Sequence, residues 1–346
     1  MALVQDALSD CSWLGYAPRV LRERKRMQVR KCFWRALLGV FVLCSGCDLQ
    51  LMAASTSVAV ARRAAPGINY MRDPEIAEAA IPSVIQQNEA LVYLLPDDAG
   101  VITSAVRVYA SYGYGFLEDK MEQAEFDGAE EQVIEHYRQR AGLAYLRARE
   151  IAFQWLDRKR PEEGGILGVQ RKGLEAFTQH IKKFTSEEEA IVLFWAAYSW
   201  ARYINLNRDK MDALADLPYV SAIADHVNAI IPSYYDYGPV ALRAGLMAAA
   251  PPALGGRHAE AKAEFERAIQ LSGRHNLLFL VTEARLVAVP LQDRALYRSL
   301  LEEVLRFDVD SKPEHRLPNL LAQRRARRYL AEIDNLFPPE EEGGES

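Results

Sequence analysis

Between Gly255-Gly256 and Ser272-Gly273 the chain reads Arg257-His258-Ala259-Glu260-Ala261-Lys262-Ala263-Glu264-Phe265-Glu266-Arg267-Ala268-Ile269-Gln270-Leu271. Ala261 and Ala268 bracket Phe265 at spacings of four and three, which puts all three on one face of a helix. The glycines supply a tight turn before this helix and a stop after it. Two alanines let a partner helix approach closely, and the ring fills the groove between them. The partner lies just upstream, from about Val240 to Ala250, with Leu242, Gly245, Leu246 and Ala249 at matching spacing. Such a pair cannot bury its apolar face alone, so the rest of the chain has to supply more helices stacked against it.

The pattern is that of the second helix of a tetratricopeptide-type repeat, and the remaining sequence meets the demand. Helix signals begin at Asp73-Pro74, an N-cap followed by proline in the first turn, and run to Leu95 with Pro82 as a break or kink. Pro96-Asp97-Asp98 caps a helix carrying Val101, Ala105, Val108, Tyr109, Tyr112 and Phe116 to about Glu125, where Asp127-Gly128 breaks it. A long amphipathic helix follows from Glu131 to about Arg158, then a loop from Pro161 to Gly168. Further helices are predicted over Val169 to Phe184, Ser186 to Asn205 (opened by a Ser186/Glu189 capping box), Asp209 to Asp216 and Pro218 to Ile231. After the repeat pair come Asn276 to Ala288, Asp293 to Phe307 and Pro313 to Leu336. No stretch alternates with period two. The fold class is therefore all-α, stacked helical hairpins in a single domain over residues 73–338, followed by an acidic tail at 339–346.

The first residues obey other rules. Arg22 to Arg26 is basic; Met27 is followed by Arg30, Lys31 and Arg35; an apolar run from Ala36 to Leu43 ends in Cys44-Ser45-Gly46-Cys47. A positive region, a short apolar region and small residues before a cysteine make a secretory signal of the bacterial lipoprotein kind, with Cys47 as the lipidated residue and Met27 as the expected start. The run is too short to span a bilayer, which takes about 20 apolar residues. On this reading residues 1–46 are extension and signal, and 47–72 are lipidated cysteine and tether. All four cysteines (Cys11, Cys32, Cys44, Cys47) lie at or before that point, so the folded domain has no thiols for disulfides or for a zinc site. Of the chain's 42 Lys+Arg and 47 Asp+Glu, 8 and 3 fall in residues 1–46, leaving 34 against 44 and a net charge of −10. An acidic domain of this kind is a poor ligand for nucleic acid.

Catalytic motifs are missing. The six histidines, at 136, 180, 226, 258, 275 and 315, include no pair at metal-binding helical spacing. No phosphate loop or Gly-x-Ser-x-Gly elbow occurs. Gly113-Tyr114-Gly115 lies inside a helical pattern and marks a close helix approach. No catalytic residue, metal ligand or cofactor is therefore expected, and an enzyme is not indicated. Two clusters remain. Trp195, Tyr198, Trp200 and Asn205 share one helix with Phe194 and Tyr203, and Tyr234, Tyr235 and Tyr237 stand beside a turn. Aromatics at helical spacing are most often core; so dense a set is also a candidate lining for a cleft that takes a ligand or partner loop. Arg324, Arg325 and Arg328 are candidate contacts for an anion or acidic partner, the plainer reading being pairing with Glu and Asp.

Several blocks together resemble the T component of TRAP transporters. They are Glu89-Ala90 to Phe116 with Tyr109-Ala110-Ser111-Tyr112-Gly113-Tyr114; Trp195-Ala196-Ala197-Tyr198-Ser199-Trp200 with Ile204-Asn205-Leu206; Tyr235-Asp236-Tyr237-Gly238-Pro239; Gly255-Gly256 through Ser272-Gly273; Val289-Pro290-Leu291-Gln292-Asp293-Arg294; and Arg324-Arg325-Ala326 with Ile333-Asp334-Asn335-Leu336-Phe337. The resemblance implies a non-catalytic periplasmic lipoprotein that binds the substrate-binding protein of an organic-acid importer. It also implies a homotrimeric helical scaffold whose cleft takes an organic-acid or hydrophobic ligand. The alternative is a tetratricopeptide scaffold lipoprotein for envelope assembly with no small ligand.

Overall fold

The structure is a computed structural model that describes residues 65–250 and 255–337, all within one compact unit beginning at Arg62. The expected signal, Cys47, most of its tether and the acidic tail lie outside the described residues. No described helix is long and apolar enough to cross a membrane.

Every described element is helical. Helix α1 (Pro74–Leu94) is capped by Asp73, whose Oδ1 accepts from the backbone N–H of Glu75 at 2.8 Å and of Ile76 at 3.2 Å. Pro82 does not break it: the proline is exposed, so the missing N–H and the ring fall on the solvent side, while Ala77 and Ile81 hold the other side in the core. Asp98 caps α2 (Ala99–Tyr112), which passes through a π-turn at Gly113–Leu117 into α3 (Glu118–Phe126). The close approach expected at Gly113 is present, since a Cβ there would lie 2.7 Å from the Tyr145 ring on α4 (Glu131–Lys159).

Beyond α4 the expected loop is partly helical. Asp157 Oδ1 accepts from the N–H of Ile166 at 2.8 Å and nucleates α5 (Gly165–Gln170). Gly173, at φ 105°, separates it from α6 (Leu174–Ile181), where one continuous helix was expected. Helix α7 (Glu187–Leu206) opens with both halves of the capping box in place. Next come α8 (Met211–Leu214), α9 (Leu217–Ile230), α10 (Tyr234–Met247) and α11 (His258–Leu271). Helix α12 (Leu277–Glu283) continues through a second π-turn at Ala284–Ala288, and α13 (Arg294–Arg306), α14 (Arg316–Ala331) and α15 (Ile333–Leu336) complete the series.

Helices α2, α4, α7 and α9 enclose the largest core, around Trp155, Phe177, Phe184 and Trp200. Ala261, Phe265 and Ala268 of α11 are buried as their pattern requires, but α10 meets them with Val240, Ala241, Ala244, Met247 and Ala248. The expected Leu242 and Leu246 pack against the largest core instead, because α10 is wedged between the two cores. A further core unites α11 to α14 around Leu277, Tyr297, Leu301 and Ala322. The row does not end open. Leu317 and Leu321 of α14 pack with Ala77 and Ile81 of α1 and with Phe116, so the last long helix returns to the first.

Candidate functional site

Where α14 meets α3 the contact is ionic as well as apolar. Arg325 Nε donates to Glu122 at 3.1 Å and Arg325 Nη2 to the Tyr114 carbonyl at 2.6 Å. Arg328 Nη2 reaches Asp119 at 2.9 Å and Glu122, to which Tyr329 OH also donates, at 2.9 Å. Arg324 Nε lies 3.1 Å from Asp119. The arginine cluster of α14 is thus consumed by pairing with carboxylates about two hundred positions earlier in the chain. On the α7 side Arg202 holds the buried Glu118 with two donors, and Tyr145 OH donates to the same carboxylate. The Tyr114 ring lies between two guanidiniums, 4.4 Å from Arg202 and 4.0 Å from Arg325, a double cation–π arrangement. Burial raises the cost of charging Glu122, but Arg325, Arg328 and the hydrogen bonds outweigh it and hold its pKa at about 2.

This network forms one wall of a cavity of about 660 Å³ bounded by α3, α4, α7 and α12, and by Tyr329 of α14. Its apolar side is Met121, Leu206, Val281 and Leu286; its charged side carries Arg138, Arg202, Arg208 and Arg285 among carboxylates. The cavity reaches solvent beside Glu131, Arg208, Asp209 and Lys210, all exposed. Glu118 is held by Arg202, Glu122 by Arg325 and Arg328, and Glu125 by Arg138 at 3.2 Å. Neither Arg208 nor Arg285 has a carboxylate of the described residues within ion-pair distance. Arg285 rests on the Tyr329 ring at 4.6 Å. Desolvation by the wall, then the like charges of Arg202 and Arg285, push the pKa of Arg208 below its ordinary value. A guanidinium at the mouth and a half-buried one within, beside an apolar wall, suit a carboxylate with a small hydrocarbon body.

Among the residues singled out in the sequence, Asn205 lines this cavity. Trp195 and Trp200 are almost fully buried, and Tyr198 is packed beside them. Trp200 Nε1 donates to Asp216 at 3.0 Å and Trp195 Nε1 to the Tyr234 hydroxyl at 3.0 Å. Tyr234 also lines a smaller cavity of about 280 Å³ with Arg107 and Glu188, Tyr235 is exposed, and Tyr237 packs towards the α10–α11 pair. Sequence reading passed over Arg202, Arg208, Arg285 and Glu118. One signal was available: Arg202 is a lone cation in an otherwise apolar stretch, and such a charge is buried only with a partner.

Residues 71–337 match the family model described as TRAP transporter T-component. The chain is also 25% identical over 326 residues to an uncharacterized protein of Treponema pallidum (strain Nichols), an alignment covering 86% of this chain and 94% of that protein.

Proposed function

Because the chain belongs to the TRAP transporter T-component family, we propose that it is a non-catalytic periplasmic lipoprotein that docks the substrate-binding protein of a TRAP importer and holds the imported organic anion in its arginine-walled cavity. Family membership carries association with a TRAP-type transporter, and the family is a transporter-associated component, not a known enzyme family. The observation that supports the ligand is the pair of guanidiniums, Arg208 and Arg285, that have no carboxylate partner within ion-pair distance among the described residues and stand beside an apolar wall. Arginine remains protonated at neutral pH, so these groups bind and orient an anion without exchanging protons with it. Lipid on Cys47 keeps the binding surface at the membrane and raises its effective concentration beside the transporter. Three copies per assembly is part of the same reading.

Two measurements test it. A pull-down from periplasmic extract recovers a substrate-binding protein at near-equal stoichiometry; recovery of envelope-assembly factors instead moves the function to a scaffold without a small ligand. Calorimetric titration with succinate as probe shows binding that Arg208→Ala weakens by about tenfold or more, the loss of one charge-assisted contact. Equal affinity in the variant removes the cavity from the mechanism.

A further inference from the structure

Three segments far apart in sequence bring a carboxylate and two imidazoles together. Asp236 lies at the start of α10, His275 in the turn between α11 and α12, and His315 in the 3-10 turn just before α14. One ligand atom from each lies within 4.8 Å of the other two, and His315 Nε2 stands 3.3 Å from Asp236 Oδ2. The two imidazole centroids are 4.8 Å apart, with the rings tilted by 51°. We propose that Asp236, His275 and His315 form a binding site for a divalent transition-metal ion of the zinc class.

The distances suit that ion. Ligand atoms about 2.0–2.1 Å from a tetrahedral zinc lie about 3.3 Å from one another, which is already the His315–Asp236 separation. Two imidazoles and one carboxylate are a donor set for zinc and its neighbours, and three protein ligands leave a fourth position open. An ion pair alone would account for Asp236 and one histidine; it gives the second imidazole no role.

The backbone holds these groups at a cost. Tyr235, Asp236 and Tyr237 occupy the left-handed region consecutively, with φ of 49°, 52° and 64°, a conformation sterically unfavourable for non-glycine residues. Arg274, just before His275, is left-handed as well, at φ 60°. Strain of this kind persists where the surroundings over-determine it, and it gathers at ligand sites. Here the surroundings are visible. The Tyr235 ring packs 5.0 Å from Trp195, and Gly238 lets the turn lie against Phe194, where a Cβ would come within 2.9 Å of the ring. Buried Asn319 donates to the His275 carbonyl at 2.9 Å and accepts from the N–H of Leu277 at 3.2 Å. Arg316 ties the start of α14 to Asp310 and to the Tyr70 carbonyl. The aromatic cluster of α7 thereby acquires a structural role, as the support of the turn that presents Asp236.

A metal bound here would join α10, the α11–α12 turn and the start of α14, so binding would also stabilise the fold. The test is titration of the full-length chain, its four cysteines alkylated and any metal stripped with a chelator, with Co²⁺ followed by its visible d–d absorption, and with Zn²⁺ followed by calorimetry and thermal melting. Expected are one ion per chain, a tetrahedral-type cobalt spectrum abolished by added zinc, and a melting temperature raised by zinc. His275→Gln and His315→Gln should each weaken binding by at least about tenfold. Asp236→Asn should do the same while keeping a side chain that tolerates the left-handed turn. Circular dichroism of each variant shows that it is folded, and if one is not, the remaining two decide. No cobalt spectrum with the unmodified chain, or undiminished binding by folded variants, overturns the assignment.

Discussion

Both carboxylate oxygens of Glu283 are buried without a hydrogen-bond donor among the described residues. Burial first, then the neighbouring Glu266, raises its pKa to about 7, against the opposing pull of Lys262 and Arg274. The folded state therefore holds this proton more tightly than the unfolded chain. Its stabilising contribution is complete below the unfolded value of about 4.5 and is lost as pH rises through about 7. Glu283→Gln should flatten that slope and raise stability at pH 8 by on the order of 1–3 kcal/mol, read from thermal melts across the pH range. If the slope survives in the variant, the burden lies on another group. Nothing in the sequence around Thr282-Glu283-Ala284 announces this, because burial without a partner is a property of the packing. Ala261, Phe265 and Ala268 are the opposite case: their spacing alone named the buried face, and all three are essentially inaccessible.

Helix boundaries were legible where a side chain determines them. Asp73, Asp98, Ser186 and Asp293 each accept from backbone N–H groups of the first turn, as their positions in the sequence indicate. Ser186→Ala should cost about 0.5–2 kcal/mol, measured by denaturant titration, and a loss below that range would mean that the acids of the first turn carry the helix start. Gln292 tests the other end of an element. It is exposed and left-handed, at φ 55°, after the second π-turn. Gln292→Gly should stabilise by up to about 1 kcal/mol, since glycine adopts this conformation without steric cost. A destabilised variant would show that its own hydrogen bond to the Val289 carbonyl outweighs the strain. The two π-turns and the left-handed turn at Tyr235–Tyr237 were not legible, because each adjusts a helix to a neighbour that is distant in sequence.

At the scale of the molecule, closure of the helix row is the decisive event, and α14 performs it with Arg325 and Arg328 on Asp119 and Glu122. Arg325 is completely buried, so Arg325→Met strands part of that charge network and should cost on the order of 3–5 kcal/mol, with α14 exchanging its amides earlier than the α4–α7 core. Amide exchange that remains uniform would make closure incidental to stability. Glu122 adds a pH signature of opposite sign to that of Glu283. Its pKa is depressed to about 2, so its contribution is present above about 4.5 and is lost as pH falls towards 2. The sequence by itself determined the helical class, most helix boundaries, the buried face of α11 and the family, because periodicity, caps and ordered motifs act over a few residues. Only the tertiary structure decided which arginines are consumed and which face the cavity, and that Asp236, His275 and His315 meet. Those outcomes depend on contacts between segments about 40 to about 200 positions apart, and local spacing carries no record of them.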